Sequence, residues 1–413
     1  MSNISFSPFA IRGSTIKNRF IRSATWENLC KSDGTPTTQL FDKMKELADG
    51  EVGLIISSGA FPSQESISRK GQLGMTTVEQ AKLWKPTIQY IHSKHGKFFF
   101  QINHCGCRIE PDCLNERIPK GASGLLDLTN KKSESLSNSE IEDIISQFIK
   151  CAKLCEYAGA DGVQLHSAHG YLLSEFLSPR YNHRNDKWGL LKSNDQVRLV
   201  RTIASEIKRE IDKDFPVSIK INGHDCIQNG ITPKIAATYI NELTDVIDLF
   251  EISCGFCNNL TTIRSDISPN YLLQSMIKSH HFKSTDKIDF NYENDLKLKL
   301  NKRITNLLKN FDPSYKFSEG YNVQYAKEIR KMVKPGTVLS VVGGNRDFSK
   351  MSDIITNRTV NFVSMSRPFI RQPHILRTYQ DALTTKSDCT SCGECFLASP
   401  EEELKPVICS FSC

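Results

Sequence analysis

Short apolar runs rich in Val, Ile and Phe recur along the chain, each followed by a longer stretch whose apolar residues return with helical spacing. Eight runs stand out, at residues 19–24, 53–57, 97–102, 162–165, 216–221, 246–252, 337–341 and 360–364. Near-continuous apolar character, rather than alternation, marks strands covered by helices on a parallel sheet. The clearest helix starts near Ser137, where Ser137 and Glu140 have capping-box spacing, and continues as the stripe Ile141, Ile144, Ile145, Phe148 and Ala152. Another starts at Thr232 and Pro233, with Pro at the first helical position. Eight strand–helix units in succession predict an α/β protein, a closed (β/α)8 TIM barrel; an open doubly wound sheet is the second reading.

Two segments fall outside this pattern. Residues 266–319, after the sixth strand, are rich in Lys, Asn and Asp and poor in apolar positions. Lids and substrate loops sit at that end of a barrel strand, and a solvated loop explains the composition equally. The other segment is a cysteine-rich tail, 386–413. The domain reading is one barrel, 1–385, with the 266–319 insertion inside it and the tail beyond.

Composition narrows the function classes. The chain has 413 residues, 39% hydrophobic and 24% charged, enough for a large core without staples. Its net charge is +7, but bases are interleaved with acids and form no stripe. That argues against nucleic-acid binding and fits attraction to small phosphorylated ligands. No apolar run is long enough for a membrane span, and residues 1–9 lack the basic and apolar regions of a signal peptide. The expected location is cytoplasmic, away from any membrane. There the 14 cysteines read as reduced thiols or metal ligands.

In a barrel the C-terminal strand ends converge on one mouth, so residues there decide the chemistry. Gln101 closes the third strand; His166, His169 and Tyr171 follow the fourth; Lys220 lies near the end of the fifth. Gly343 and Gly344 follow the seventh strand, and Ser366 and Arg367 the eighth. Glycines that permit close backbone approach, with helix N-termini behind them, suit a phosphate, and these two loops are the usual barrel phosphate site. A pair of imidazoles can hold an oxygen that gains negative charge, and a neighbouring phenol can deliver a proton. Plainer readings exist for each: a satisfied structural histidine, a glycine turn, a lysine snorkelling to solvent. A metal on the two histidines lacks a third ligand at suitable spacing.

Residues 158–179, AGADGVQLHSAHGYLLSEFLSP, continued by Asn182, Arg184, Asp186 and Gly189, resemble the hallmark segment of the old yellow enzyme family of FMN-dependent NADH:flavin oxidoreductases. Lys17, Asn18 and Arg19 with Ser23, Ala24 and Thr25 resemble the family's first strand, whose backbone lies along the flavin. Ala60 and Gln101 fall at its flavin-contacting positions on strands two and three, and Gly343, Gly344, Ser366 and Arg367 at its phosphate loops. The match runs from about residue 6 to 383.

The resemblance implies bound FMN and a hydride taken from NAD(P)H, then passed to an electron-poor acceptor: an activated alkene, a quinone or a flavin. Gln101 would pair its amide with the pyrimidine edge of the flavin, and Lys220 would place a cation near N1, where negative charge gathers on reduction. His166 and His169 would hold the acceptor oxygen and Tyr171 would protonate the carbon. No G-x-G-x-x-G follows a strand, so NAD(P)H is expected to dock transiently as a co-substrate. Three positions depart from the family pattern. Trp26 stands where many members carry Cys or Thr, and Lys220 replaces the arginine of some branches. Residues 101–108, with Cys105 and Cys107, are one residue longer than usual, which leaves Arg108 without an assigned role.

In the tail, Cys389, Cys392 and Cys395 are each separated by two residues, with Cys409 and Cys413 beyond. Three thiols at that interval can wrap a 4Fe-4S cluster with a distant fourth ligand, for which Cys409 is best placed. Structural zinc and redox-active or free thiols are the alternatives. The tail resembles that of the trimethylamine dehydrogenase and 2,4-dienoyl-CoA reductase branch, longer proteins with such a cluster after the barrel. A cluster here would need another molecule as electron-transfer partner. A second function reading follows, a flavin and iron–sulfur electron-transfer subunit without turnover of its own. The sequence leaves open the physiological acceptor, NADH against NADPH, and whether the chain forms an oligomer.

Overall fold

Eight parallel strands close on themselves: β1 (Phe20–Arg22), β2 (Leu54–Ala60), β3 (Lys97–Ile102), β4 (Gly162–Ser167), β5 (Val217–His224), β6 (Leu249–Cys254), β7 (Leu339–Val342) and β8 (Phe362–Met365), which pairs back to β1. This computed structural model describes residues 3–110, 113–114, 117–124, 133–190, 195–256, 317–397, 404 and 406–409. Every strand expected from the apolar runs is present, and the closure excludes the open sheet. β2, β4, β5 and β6 run two or three residues beyond their apolar runs. The added residues include Ser58, His166, Asn222 and Ser253, all buried. They interrupt the hydrophobic pattern because the upper barrel is polar.

Helices cover the outside. α1 (Thr38–Asp49), α2 (Val78–Ser93) and α3 (Asn138–Tyr157) follow the first three strands; α4 (Leu172–Leu177) and α5 (Arg198–Glu210) follow β4. α6 (Pro233–Leu243), α7 (Val323–Arg330) and α8 (Phe348–Thr356) follow β5, β6 and β7. α9 (Arg367–Arg371) and α10 (Ile375–Gln380) follow β8, and α11 (Glu394–Leu397) lies in the tail. The expected capping box closes: Glu140 N–H donates to Ser137 Oγ at 3.3 Å, and Ser137 N–H to Glu140 Oε2 at 2.8 Å. Thr232 caps α6 by accepting from Ile235 N–H at 3.4 Å, with Pro233 first in the helix.

Two apolar layers hold the barrel. Between strands and helices, Trp84 packs on Phe98 and Phe100 with ring centroids 5.3 and 5.1 Å apart. Inside the barrel, Ile21, Leu54, Ile56, Phe99, Leu249 and Phe362 form a plug at the N-terminal end of the strands. A hairpin of Phe9–Ile11 and Ser14–Ile16 adds Ile11 and Ile16 to it. With that end plugged, the cavity lined by the strand ends opens at the C-terminal mouth. Of the insertion at 266–319 only residues 317–319 lie among the described residues. Among the described residues no helix is long and apolar enough to cross a membrane.

Candidate active site

A cavity of about 250 Å³ opens at the C-terminal mouth of the barrel. Its walls include Ser23, Ala24 and Thr25 after β1, Gln101 from β3, His166, His169 and Tyr171 from β4 and its loop, and Lys220 from β5. Gly343, Gly344, Ser366 and Arg367 complete the circuit from the last two loops. Ala60 is the exception. Its neighbour Gly59 lines the cavity, while the Ala60 carbonyl accepts the Asn103 N–H at 2.8 Å.

The loop after β4 is built to aim three side chains. His169 and Gly170 both adopt left-handed backbone, φ 66° and 81°, which turns the chain sharply. The His169 N–H donates to Asn222 Oδ1 at 3.3 Å, and the Gly170 N–H to Ser174 Oγ at 3.1 Å. Arg108 supports the turn from outside, donating from Nε to the Gly170 carbonyl at 3.1 Å over the rings of Tyr181 and Phe256. The residue that lacked a role in the sequence therefore props the histidine loop. The turn folds Tyr171 onto His166, with ring centroids 4.8 Å apart, and sets His166 perpendicular to His169 at 5.1 Å.

Burial, then the neighbouring His169 and Lys220, hold His166 well below the usual imidazole range; burial and Lys220 push His169 down to about 3. Both rings are neutral at neutral pH, each offering one N–H and one acceptor. His169 Nε2 lies 2.7 Å from Ser253 Oγ, which assigns that nitrogen and leaves Nδ1 for other use.

Under the cavity the polar side chains are linked. Lys220 Nζ donates to Ser23 Oγ at 2.8 Å and pairs with Glu251 Oε2 at 3.3 Å. Gln164 Nε2 donates to the same Glu251 oxygen at 3.0 Å, and Gln164 Oε1 accepts from Gln101 Nε2 at 2.7 Å. Between the loops after β1 and β8, Thr25 Oγ1 and Ser366 Oγ lie 2.7 Å apart. Asn345 Nδ2 ties β7 to β8 by donating to the carbonyls of Val341 and Ser364 at 2.9 and 3.0 Å. Gly343 and Gly344 have φ 130° and 76°, and a Cβ on them would fall 2.4 Å from Asn322 Nδ2 and 2.7 Å from the Ser318 carbonyl. The glycine pair is thus required by close packing on the 318–322 turn as well as by its place in the wall.

Sequence reasoning missed Ser253, Asn103, Gln164 and Glu251. Ser253 was within reach of the strand-end rule, but the sixth apolar run stops at 252. A glutamate inside that run was the available signal for Glu251, since a charge inside a parallel strand requires a buried partner.

The tail returns to this mouth. Cys389 and Cys395 line the cavity, and together with Cys392, Cys409 and Arg367 they enclose a second, smaller one. Burial pushes the Cys395 thiol up to about 11, opposed by Arg367 and reinforced by the other three thiols. Among the described residues no group of three or more His, Cys, Asp or Glu is gathered to hold a metal ion. A single zinc would draw its thiolates to within about 3.8 Å of one another. The tail is fastened by a partly buried relay. Arg22 donates to Glu27 Oε1 at 2.6 Å, and Lys43 Nζ bridges Glu27 Oε2 at 3.1 Å and the Val407 carbonyl at 2.7 Å. Val407 N–H returns to the Glu27 carbonyl at 3.1 Å.

A sequence model of the NADH:flavin oxidoreductase / NADH oxidase family matches residues 5–264. The chain belongs to this family. It is 24% identical over 394 residues to an NADH oxidase of Thermoanaerobacter brockii, covering 94% of this chain and 52% of that protein. It is 31% identical over 258 residues to an NADPH dehydrogenase of Geobacillus sp. (strain WCH70), covering 62% of this chain and 74% of that one. The old yellow enzyme homologue of Zymomonas mobilis shares the fold with a TM-score of 0.68 at 21% identity, covering 93% and 94% of the two chains. The chain thus spans about half the length of the T. brockii relative. Membership of the NADH:flavin oxidoreductase family makes FMN the cofactor to test against this barrel. The residues present fit a flavin. Asn103 Oδ1, His166 Nδ1 and Ser364 Oγ are buried in the cavity wall without a partner among the described residues, as groups that serve a ligand are.

Proposed function

We propose that the chain is an FMN-dependent oxidoreductase that moves a hydride from NAD(P)H to an electron-poor acceptor, an activated alkene, a quinone or a flavin. The observation that carries this reading is the convergence of two neutral imidazoles, a phenol and a lysine on one cavity. Bound FMN supplies the hydride chemistry. Gln101 would hold its pyrimidine edge, Lys220 would face the region that gains charge, and Ser23, Ala24 and Thr25 would lie along it. Gly343, Gly344, Ser366 and Arg367 would hold the phosphate.

His166 and His169 would bind the acceptor oxygen through N–H groups that keep their protons at neutral pH, so polarisation of the oxygen costs no prior ionisation. Tyr171, resting on His166, is placed to give a proton to the carbon next to the polarised group. The compartment that fits is the reducing cytoplasm, where buried thiols such as Cys30, Cys105 and Cys151 persist.

A second reading is favoured by the shared wall: Cys389, Cys395 and Arg367 belong to both the cavity and the cysteine enclosure. In it Cys389, Cys392, Cys395 and Cys409 of the 386–413 tail hold a 4Fe-4S cluster, which passes electrons to a partner protein. One experiment separates the two. Anaerobic protein should be yellow and bleached by NADH or NADPH, with steady-state turnover on cyclohexenone, a quinone or free flavin. Bound flavin with no turnover until a partner is added would favour the electron-transfer subunit. A colourless protein that cannot be reconstituted with FMN would end both.

A further inference from the structure

Glu251 is fully buried inside the barrel on β6, and its register partner on β5 is Lys220. Its Oε2 takes the Lys220 ammonium at 3.3 Å and the Gln164 N–H at 3.0 Å, while Oε1 has no partner among the described residues. Both members of the pair are at most 4% exposed. A buried ion pair of this kind is weak evidence for stability, because desolvation of the two charges offsets most of their attraction. A role outside stability is therefore worth seeking.

Two branches leave this one carboxylate, and each ends on a cavity-lining group. One is electrostatic: Glu251 holds Lys220, which reaches Ser23 Oγ at 2.8 Å. The other is a relay of amides. By accepting the Gln164 N–H, Glu251 turns the Gln164 carbonyl toward Gln101, whose N–H it accepts at 2.7 Å. Glu251 thereby sets the charge balance around Lys220 and the amide orientation of Gln101, without lining the cavity itself.

We propose that Glu251 is a positioning residue and counter-charge that lowers the electron affinity of the bound flavin by compensating Lys220. The inference rests on the proposed placement of FMN over Lys220 and Gln101. An uncompensated ammonium would favour the reduced, more negative flavin; the paired carboxylate cancels much of that field in a site shielded from water.

The test is the two-electron midpoint potential of FMN in wild type, Glu251→Gln, Lys220→Met and the double variant, with FMN content measured on each. Glu251→Gln should raise the ratio of reduced- to oxidised-flavin affinity by roughly tenfold, which is about 30 mV upward for a two-electron couple. Lys220→Met should shift the potential downward. The double variant should lie above Lys220→Met, because the remaining carboxylate is gone. A merely structural role would cost FMN content or Tm without shifts of opposite sign. An unchanged or lowered potential in Glu251→Gln overturns the proposal. If that single variant does not fold, a double variant with the same potential as Lys220→Met overturns it instead. Wild-type protein that binds no FMN would defeat the underlying placement of the flavin, a separate result read from the content measurement.

Discussion

His169 Nε2 sits 2.7 Å from Ser253 Oγ, so the end of β6 fixes the ring of a histidine carried on the loop after β4. Two strand ends that are far apart in sequence thereby set the orientation of one cavity-lining imidazole.

Replacing both His166 and His169 by Ala should weaken the binding of phenols and enones by roughly tenfold to a hundredfold, the worth of one or two hydrogen bonds. FMN content should stay near that of wild type if, as proposed, the pair faces the acceptor. Burial holds both imidazoles neutral, His169 down to about 3, so titration of a neutral phenol should give a flat affinity between about pH 5 and 8. Loss of flavin from the double variant, or a collapse of affinity as pH falls through about 6.5, would contradict the placement.

Tyr171→Phe should slow alkene reduction by roughly 10²–10⁴-fold, the usual contribution of a positioned acid. Bleaching of the flavin by NAD(P)H in anaerobic stopped flow should barely change. Equal slowing of both half-reactions would remove Tyr171 from the proton-donor role.

Under the second reading, anaerobically purified protein should contain about four irons per chain, and Cys392→Ala should lose them while keeping FMN. Lys43→Met should loosen the tail, because Lys43 is the cation that joins Glu27 to the Val407 carbonyl. Faster iron loss to a chelator is expected, with the barrel's melting temperature little altered. About one zinc per chain would instead support a structural ion.

Burial on α4 pushes the Glu175 carboxyl up to about 7, against the opposing effects of Arg108 and the N–H groups of Cys107 and Ala122. The folded state therefore holds a proton that the unfolded state releases near pH 4.5. Its stabilising effect is complete below that pH and is lost as pH rises through about 7, by on the order of 3 kcal/mol. The two histidines act in the opposite sense, costing stability as pH falls below about 6.5, so a comparison between variants isolates Glu175. Glu175→Gln should flatten the fall in Tm expected of wild type between about pH 5 and 8, even if its absolute Tm is lower. Parallel curves for the two proteins would refute the assignment.

The barrel was legible because its cause is local. Each strand is buried by helices on one side and by its own plug on the other, which leaves an apolar run that needs no tertiary knowledge to see. The caps at Ser137 and Thr232 are equally local. His166, His169, Tyr171 and Lys220 were legible because strand ends in a closed barrel must converge.

Contacts between distant strands depend on which way each residue faces and on the register at closure. A one-residue change of register turns Glu251 or Gln164 from the barrel interior to the helix side. Apolar pattern carries that information for hydrophobic residues but not for a single buried carboxylate, which either face could exclude. Only the closed barrel decided that Glu251 meets Lys220, that Ser253 meets His169 and that the tail's cysteines reach the mouth. The sequence by itself determined the strands, the barrel and the groups at its mouth, because burial and capping act over a few residues. The pairings among those groups, and the wall shared with the tail, were decided by tertiary structure, because they join side chains that only chain closure brings within reach.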